Sequence, residues 1–332
     1  MRVLKNDDYK LLERLVSLSQ AGMHKVMKTY LQSKYEKVIV KEKYIVAIGN
    51  IPIALVAHMD TVFKYPVDNM YYDDRKGVIW SPEGLGADDR AGIFAIIQIL
   101  KSGLRPSVIL TTDEESGGIG AAALAGEKCP IPNLKYMIQL DRRGTNDCVF
   151  YDCYNPSFIE YVESFGFVER WGSFSDISVL MPAWKICGVN LSVGYEDEHS
   201  ISETLHIKPL LNTIEKVKNM LKVENIPTFA YEELKSHWYQ SWGGISTSLK
   251  RAITADDDYG AHCASCKKLF SEYEMYPVKS KGQITKLFCP DCVVDQVDWC
   301  PECGEAYEIN SSPHAIKCND CAEKEKQANG NK

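Results

Sequence analysis

Several features are missing from this sequence, and each absence narrows what the chain can be. No apolar run in its 332 residues approaches the roughly 20 needed to span a bilayer. The opening "MRVLKNDDYKLLERL" has no signal-peptide apolar region and reads instead as an amphipathic helix. Basic excess is absent too: 38 Lys and Arg against 45 Asp and Glu leave a net charge of −7, which gives no general attraction to nucleic acid or to anionic membranes. Cysteine is sparse before residue 260, where only Cys129, Cys148, Cys153 and Cys187 occur, at no regular spacing; they read as ordinary buried thiols. The other eight of the 12 cysteines form four CxxC pairs, the spacing of metal ligands rather than of a disulfide framework. The expectation is a cytoplasmic protein with one large domain and something smaller beside it.

The first 225 residues alternate between two periods. Residues 7–33 carry apolar positions at helical spacing, "YEKVIVKEKYIVAIG" (35–49) alternates like a pair of strands, and "IPIALVAH" (51–58) is a buried strand. A helical face follows in "AGIFAIIQILKSG" (91–103), closed by glycine. The apolar runs "SVILTTDEE", "YMIQLD" and "ICGVNLSV" then come between helical or loop segments, and "IKPLLNTIEKVKNMLK" (207–222) closes the series. Strands interleaved with helices predict a three-layer α/β/α domain with a mostly parallel central sheet over residues 1–225. Residues 226–260 hold no sustained period and read as a linker, 261–323 as a zinc-binding module, and the polar tail 324–332 as disordered.

Polar clusters fall just past the predicted strands: "AHMDTV" (57–62), "GADDRAG" (86–92), "TTDEESGG" (111–118), "QLDRRG" (139–144) and "VGYEDEHSISE" (193–203). In an open α/β sheet, the carboxyl ends of the strands are where ligands bind. Residues two apart on a strand share a face, so His58 and Asp60 can share one pocket. The clusters supply two histidines and several carboxylates, a donor set that suits a pair of divalent ions, most naturally zinc.

The ordered set H-x-D, G-A-D-D-x-A-G, E-E-x-G-G, D and a late H-S resembles the co-catalytic di-zinc exopeptidases. That superfamily includes bacterial aminopeptidases, peptidase T, glutamate carboxypeptidases and aminoacylases. The resemblance spans roughly residues 5–225 and implies a peptidase or amide hydrolase acting on a peptide or N-acyl amino acid. Carried over by position, it makes His58 a ligand of one metal, Asp88 the bridge, Glu115 and Asp141 ligands of one ion each, and His199 the ligand completing the second site. Glu114 becomes the catalytic base and Asp60 the orienter of His58. Asp89 is expected to support the turn and the helix N-terminus. Only 57 residues separate Asp141 from His199, too few for the lid or dimerisation domain that some members insert there, which points to the lidless branch. Arg142 and Arg143 depart from the pattern. They are either surface charges or a clamp for a substrate carboxylate.

The C-terminal pairs are Cys263/Cys266, Cys289/Cys292, Cys300/Cys303 and Cys318/Cys321. Each set of four thiolates makes a closed tetrahedral zinc site, so two structural zincs are expected in a double zinc-ribbon or treble-clef-like module. Sequential pairing is favoured, with an interleaved cross-brace as the alternative. Between residues 261 and 323 there are six lysines, no arginine and ten Asp or Glu. A phosphate-binding module is basic, so protein binding or substrate docking is the expected role here. The competing reading of the whole chain is a catalytically silent peptidase-like scaffold serving as an adaptor. Retention of the base candidate beside five ligand candidates favours catalysis.

Overall fold

The structure, a computed structural model, describes residues 4–232, 260–271, 276–280, 283–289, 292, 296–300, 306–308 and 321–322. The chain divides into two compact units, Met1–Leu234 and Lys235–Lys332. The first opens with α1 (Asn6–Val16) and α2 (Gln20–Gln32), the hairpin β1 (Lys37–Val40) and β2 (Tyr44–Ile48), and then β3 (Ile51–His58). Two short strands, β4 (Tyr71–Asp73) and β5 (Val78–Trp80), precede α3 (Ala87–Lys101), β6 (Pro106–Thr111), α4 (Ile119–Ala125) and β7 (Tyr136–Arg142). The remainder is β8 (Asp147–Val149), α5 (Pro156–Glu163), β9 (Val168–Glu169), α6 (Asp176–Trp184), β10 (Cys187–Ser192), β11 (Tyr195–Glu196), β12 (Thr204–His206) and α7 (Ile207–Leu221).

The main sheet has the order β1-β2-β6-β3-β7-β10-β8-β9. Its centre, β6-β3-β7-β10, is parallel. These four strands are the continuous apolar runs of the sequence, buried along nearly their whole length, as strands covered on both faces by helices must be. On one face α3 packs against β3 and β7 and is itself backed by α1 and α7; on the other, α6 covers β3, β7 and β10 beside α4. Antiparallel additions at both edges make the sheet mixed. A second sheet, β11-β12-β5-β4, is built from strands of two or three residues, too short to show a period.

Register levels the site-bearing strand ends. His58 pairs with Thr111 and Val56 with Gln139, so β3, β6 and β7 finish side by side. Among the described residues, no helix is long and apolar enough to cross a membrane. Residues 226–232, the start of the stretch read as a linker, pack onto the first unit. Phe229 lies in an aromatic nest 4.9 Å from Phe158, 5.3 Å from Tyr161 and 6.1 Å from Tyr136 between ring centroids, and Tyr154 N–H donates to the Glu232 carbonyl (2.8 Å). Trp238, Trp242 and the tail 324–332 lie outside the described residues.

Among the described residues of the second unit, taken alone, three antiparallel strand pairs occur: β13 (Gly260–His262) with β14 (Leu269–Ser271), β15 (Tyr276–Ser280) with β16 (Gln283–Phe288), and β17 (Val297–Trp299) with β18 (Ala306–Glu308).

One close approach in the first unit ties the fold to the site. Where α3 crosses β7, a Cβ added at Gly92 would collide with the Leu140 carbonyl oxygen and the Asp89 carboxylate. Gly92→Ala is therefore expected to destabilise the protein by about 1–3 kcal/mol through overpacking. Chemical denaturation of the full chain, compared with an Ala substitution at the exposed Gly126, measures this.

Candidate metal centre

Six carboxyl groups and two histidines converge where the parallel strands end. His58, the last residue of β3, is buried. Its Nε2 lies 3.0 Å from Asp88 Oδ1, 3.6 Å from Asp141 Oδ1 and 4.0 Å from Glu114 Oε2. Its Nδ1 faces Asp60 Oδ1 at 3.3 Å. His199, from the loop between β11 and β12, places Nε2 3.2 Å from Asp88 Oδ2 and 3.0 Å from Glu115 Oε2. Asp88 thus turns one oxygen to each histidine. The other carboxyls of the cluster are Asp60 and Asp176.

Three groupings bring ligand atoms within 4.8 Å of one another: His58, Asp88 and Asp141; Asp88, Glu115 and His199; and His58, Glu114 and Glu115. The donor set fits divalent cations on two grounds. Two ligand atoms each about 2.0–2.1 Å from a tetrahedral ion lie about 3.3 Å apart, and the separations of the two histidine Nε2 atoms from Asp88, Asp141 and Glu115 run from 3.0 to 3.6 Å. Glu115 Oε1 is also buried with no hydrogen-bond partner, an orphan that a cation would satisfy.

The electrostatics show the same tension. Burial pushes the Glu114 carboxyl up to about 9, helped by Asp141 and Asp176. Burial and the Asp88 charge raise Asp141 to about 7. Burial would raise Asp88 as well, but His199 and His58 hold it well below the usual carboxylate range. His58, despite the opposing effect of its own burial, is held well above the ordinary imidazole range by Asp141, Asp60 and Asp88. His199, paired with Asp88 and Glu115, is pushed up to about 11. Within the cluster the two histidines are pushed toward their charged forms and Asp141 and Glu114 toward their neutral ones.

Other carboxylates grip the backbone that carries these side chains. Asp60 accepts the N–H groups of Glu114 and Glu115, each at 3.1 Å, so it orders the 114–115 loop as well as facing His58. Asp89 accepts from His58 N–H (3.3 Å) and Gly92 N–H (2.8 Å), joining β3 to the start of α3. Arg90 is buried beneath them and donates to the carbonyls of Met59 and Leu18.

The sequence reading assigned no role to four further groups. Glu203, fully buried, accepts from Gly86 N–H (2.5 Å) and Asp88 N–H (3.0 Å); it clamps the loop bearing Asp88 from only four residues beyond His199. Gln139 accepts from Ile177 N–H (2.9 Å), which leaves its amide NH2 to donate to Asp141 Oδ2 (2.9 Å). Tyr195 donates its hydroxyl to Asp141 Oδ1 (3.1 Å). Asn190 reads the Asp141 backbone from both sides, accepting its N–H (3.0 Å) and donating to its carbonyl (2.7 Å). The available signal was a polar residue inside a buried apolar run, Gln139 in "YMIQLD" and Asn190 in "GVNLS"; such a residue must find a partner. Asp176 is buried, accepts from Thr111, and has its pKa raised to about 6 by burial.

Arg142 and Arg143 take different partners. Arg143 pairs with Glu198 (3.0 Å) at an exposed position, and Arg142 donates to the Trp171 carbonyl (3.3 Å).

In the second unit, Cys263, Cys266, Cys289 and Cys292 form another group with sulfurs within 4.8 Å. The Cys266 and Cys289 sulfurs are 3.8 Å apart, the separation expected for two ligands about 2.3 Å from one tetrahedral zinc. Cys289 N–H donates to Cys263 Sγ (3.4 Å). Burial would raise the Cys263 thiol, but the N–H groups of Cys289, Cys266 and Ser265 hold it at about 6, poised as a thiolate. Cys300 and Cys321 share a small cluster with Tyr307, while Cys303 and Cys318 lie outside the described residues.

Two predictions follow from this geometry. Asp176, Asp141, Glu203 and Glu114 have folded-state values of about 6, 7, 7 and 9, all above the ordinary carboxyl value of about 4. A raised value contributes stability that is complete below the unfolded pKa and is lost as pH rises through the folded one. His199, raised to about 11, acts in the same direction. The melting temperature of chelator-treated protein is therefore expected to fall from pH 5 to pH 9, and added zinc to oppose the fall; a rise over that range in chelator would contradict the charge balance described. Glu203→Ala, which frees two buried N–H donors, is expected to cost about 2–4 kcal/mol and to weaken metal retention, read by denaturation and metal analysis. Glu203→Gln, keeping one acceptor oxygen, is expected to lose less of both.

No family model matches the sequence, and no curated protein does. The fold does have solved counterparts. A tripeptidase from Staphylococcus aureus superposes with a TM-score of 0.55 at 15% identity, over 67% of this chain and 99% of that one. A TET aminopeptidase from Thaumarchaeota archaeon SCGC AB-539-E09 gives 0.52 at 14% identity, over 67% and 98%. The chain has the α/β fold of these peptidases.

Proposed function

We propose that this chain is a metal-dependent exopeptidase, an aminopeptidase or related amide hydrolase, with His58, Asp88 and Asp141 holding one ion and Asp88, Glu115 and His199 the other. The observation that carries this reading is Asp88, with one carboxylate oxygen turned to each histidine at 3.0 and 3.2 Å. Zinc is the natural occupant of such a nitrogen and oxygen set. Bound there, a pair of divalent ions would polarise a scissile carbonyl and lower the pKa of water toward 7.

The chain's own groups carry the rest. Glu114 is the general base. Its carboxyl lies 4.0 Å from His58 Nε2, beside the proposed ions but not among their assigned ligands, where it would take a proton from the attacking water and deliver it to the leaving amine. Asp60 fixes the N–H groups of Glu114 and Glu115, so that one side chain serves the proton while its neighbour serves the cation. Gln139, Tyr195 and Asn190 hold Asp141 in a single orientation, which keeps the carboxylate preorganised. The likeness in fold to a tripeptidase and an aminopeptidase supports a peptide substrate, and an N-acyl amino acid is an alternative of the same chemistry.

The second unit is proposed to hold two structural zincs, one on Cys263, Cys266, Cys289 and Cys292 and one on Cys300, Cys303, Cys318 and Cys321. Its acidic composition suits protein or substrate docking. Full-length protein should contain about four zinc ions, two of each kind. Cys263→Ser should lower this to about three while hydrolysis persists; a count of two that depends entirely on the cysteines sinks the catalytic assignment.

Glu114→Gln removes no proposed ligand. It is expected to keep the metal content and to lower kcat by several orders of magnitude with little change in KM. Assays on a panel of dipeptides and N-acetyl amino acids, with chelator controls, read both the substrate class and this loss. Full activity in Glu114→Gln would remove it from the role of base.

A further inference from the structure

The turn after β7 carries Arg143, for which the proposed function has no use. Its backbone is pinned on both sides: Ser192 Oγ donates to the Arg143 carbonyl (2.6 Å) and Gly144 N–H to the Tyr195 carbonyl (2.9 Å). Ser192 ends β10 and Tyr195 begins β11, so both lie on the segment that runs into the His199 loop. From this base the Arg143 guanidinium reaches Glu198, with Nη1 3.0 Å from Oε1, one residue before His199. The other Glu198 oxygen is buried and has no hydrogen-bond partner among the described residues.

The His199 loop needs an anchor. The side chain of His199 is 51% exposed, whereas those of the other four proposed ligands are at most 10% exposed. Asp197 and His199 both have left-handed backbone, with φ +56° and +63°, a conformation that is costly for residues with a Cβ and persists where the surroundings hold it. Inside the loop the bonds are local: Ser200 Oγ donates to the Asp197 carbonyl (2.7 Å), and Ser202 N–H to Ser200 Oγ (3.2 Å). Among the described residues, two polar side-chain contacts tie 197–202 to other segments. They are the Arg143–Glu198 pair and the approach of His199 to Asp88 and Glu115.

Asp141 stands two residues before Arg143, and His199 one residue after Glu198. The ion pair therefore joins the segments that carry one ligand of each proposed ion. Arginine suits this task, because its planar guanidinium loses less freedom per hydrogen bond than a lysine ammonium does. Its charge alone would act the other way, since a cation this close to a metal site repels the ion.

We propose that Arg143 and Glu198 form a latch that holds His199 against Asp88 and Glu115 and so sets how tightly the second ion is kept. The proposal rests on the two-ion reading of the centre and concerns the regulation of that site; Arg143 is a positioning residue in it. The sign of one substitution separates a latch from a bystander charge. Removing Arg143 tightens the second ion if only its charge matters, and loosens it if the loop depends on the pair. The expected loosening is about two- to fivefold, the range of an exposed ion pair.

The test titrates the metal-stripped full chain with Co(II), reading the d–d bands of nitrogen and oxygen sites apart from the charge-transfer band of cobalt on thiolates. His199→Ala identifies the step that belongs to the second ion by abolishing it. Arg143→Met is expected to weaken that step about two- to fivefold and to leave the other unchanged. Glu198→Gln is expected to cost less in the Arg143→Met background than alone, and the Arg143→Met effect to shrink at about 0.5 M NaCl, where the pair is screened. Two steps of which the His199 step is unmoved or tightened by Arg143→Met, or both steps weakened equally, overturn the latch and leave the two-ion reading standing. A single nitrogen–oxygen step in wild type overturns both. If Arg143→Met weakens the His199 step but the zinc-loaded wild type cleaves no peptide or N-acyl amino acid, the latch stands and the exopeptidase reading fails.

Discussion

Everything in the first unit is arranged around one electrostatic constraint: buried carboxyls within a few ångströms of one another cannot all be charged without cations among them. Asp88 is the centre of that constraint. It is flanked by His58 and His199 and stays ionised, while Asp141 and Glu114, in the same buried space, are driven to retain protons. Divalent cations bound among these groups would balance the same charge and release the protons.

The carboxyls facing the centre are positioned largely by other carboxyls reading backbone N–H groups. Asp60 holds residues 114 and 115, Asp89 holds His58 and Gly92, and Glu203 holds Gly86 and Asp88. Each of these clamps joins segments distant in sequence, so a single loop cannot shift without breaking a bond to another. A carboxyl oxygen that accepts a buried backbone N–H satisfies a donor that would otherwise be costly to bury, which suits it to fixing a loop where the helices and strands have ended. The two units contrast in this respect. The first builds its site on a large apolar core, whereas the described core of the second is small and half cysteine.

Much of the architecture was legible in the chain. The parallel strands are continuous apolar runs, and their polar ends announce the site because an i, i+2 pair such as His58 and Asp60 shares a face. The four CxxC pairs are equally plain. The small sheet β11-β12-β5-β4 was not legible, since strands of two or three residues carry no measurable period. Nor were the roles of Glu203, Gln139, Tyr195 and Asn190, each of which depends on a partner that only folding brings near.

The sequence by itself determined the α/β class, the order of the polar clusters and the residue types available for chemistry, because hydrophobic period and local spacing are properties of neighbouring residues. Tertiary structure alone decided that both Asp88 oxygens are used, that Asp60 grips the 114–115 loop, and that Glu203 clamps the backbone of Asp88. Those are distances between segments up to about a hundred residues apart, set by the packing of α3 and α6 on the sheet, and no local pattern encodes them.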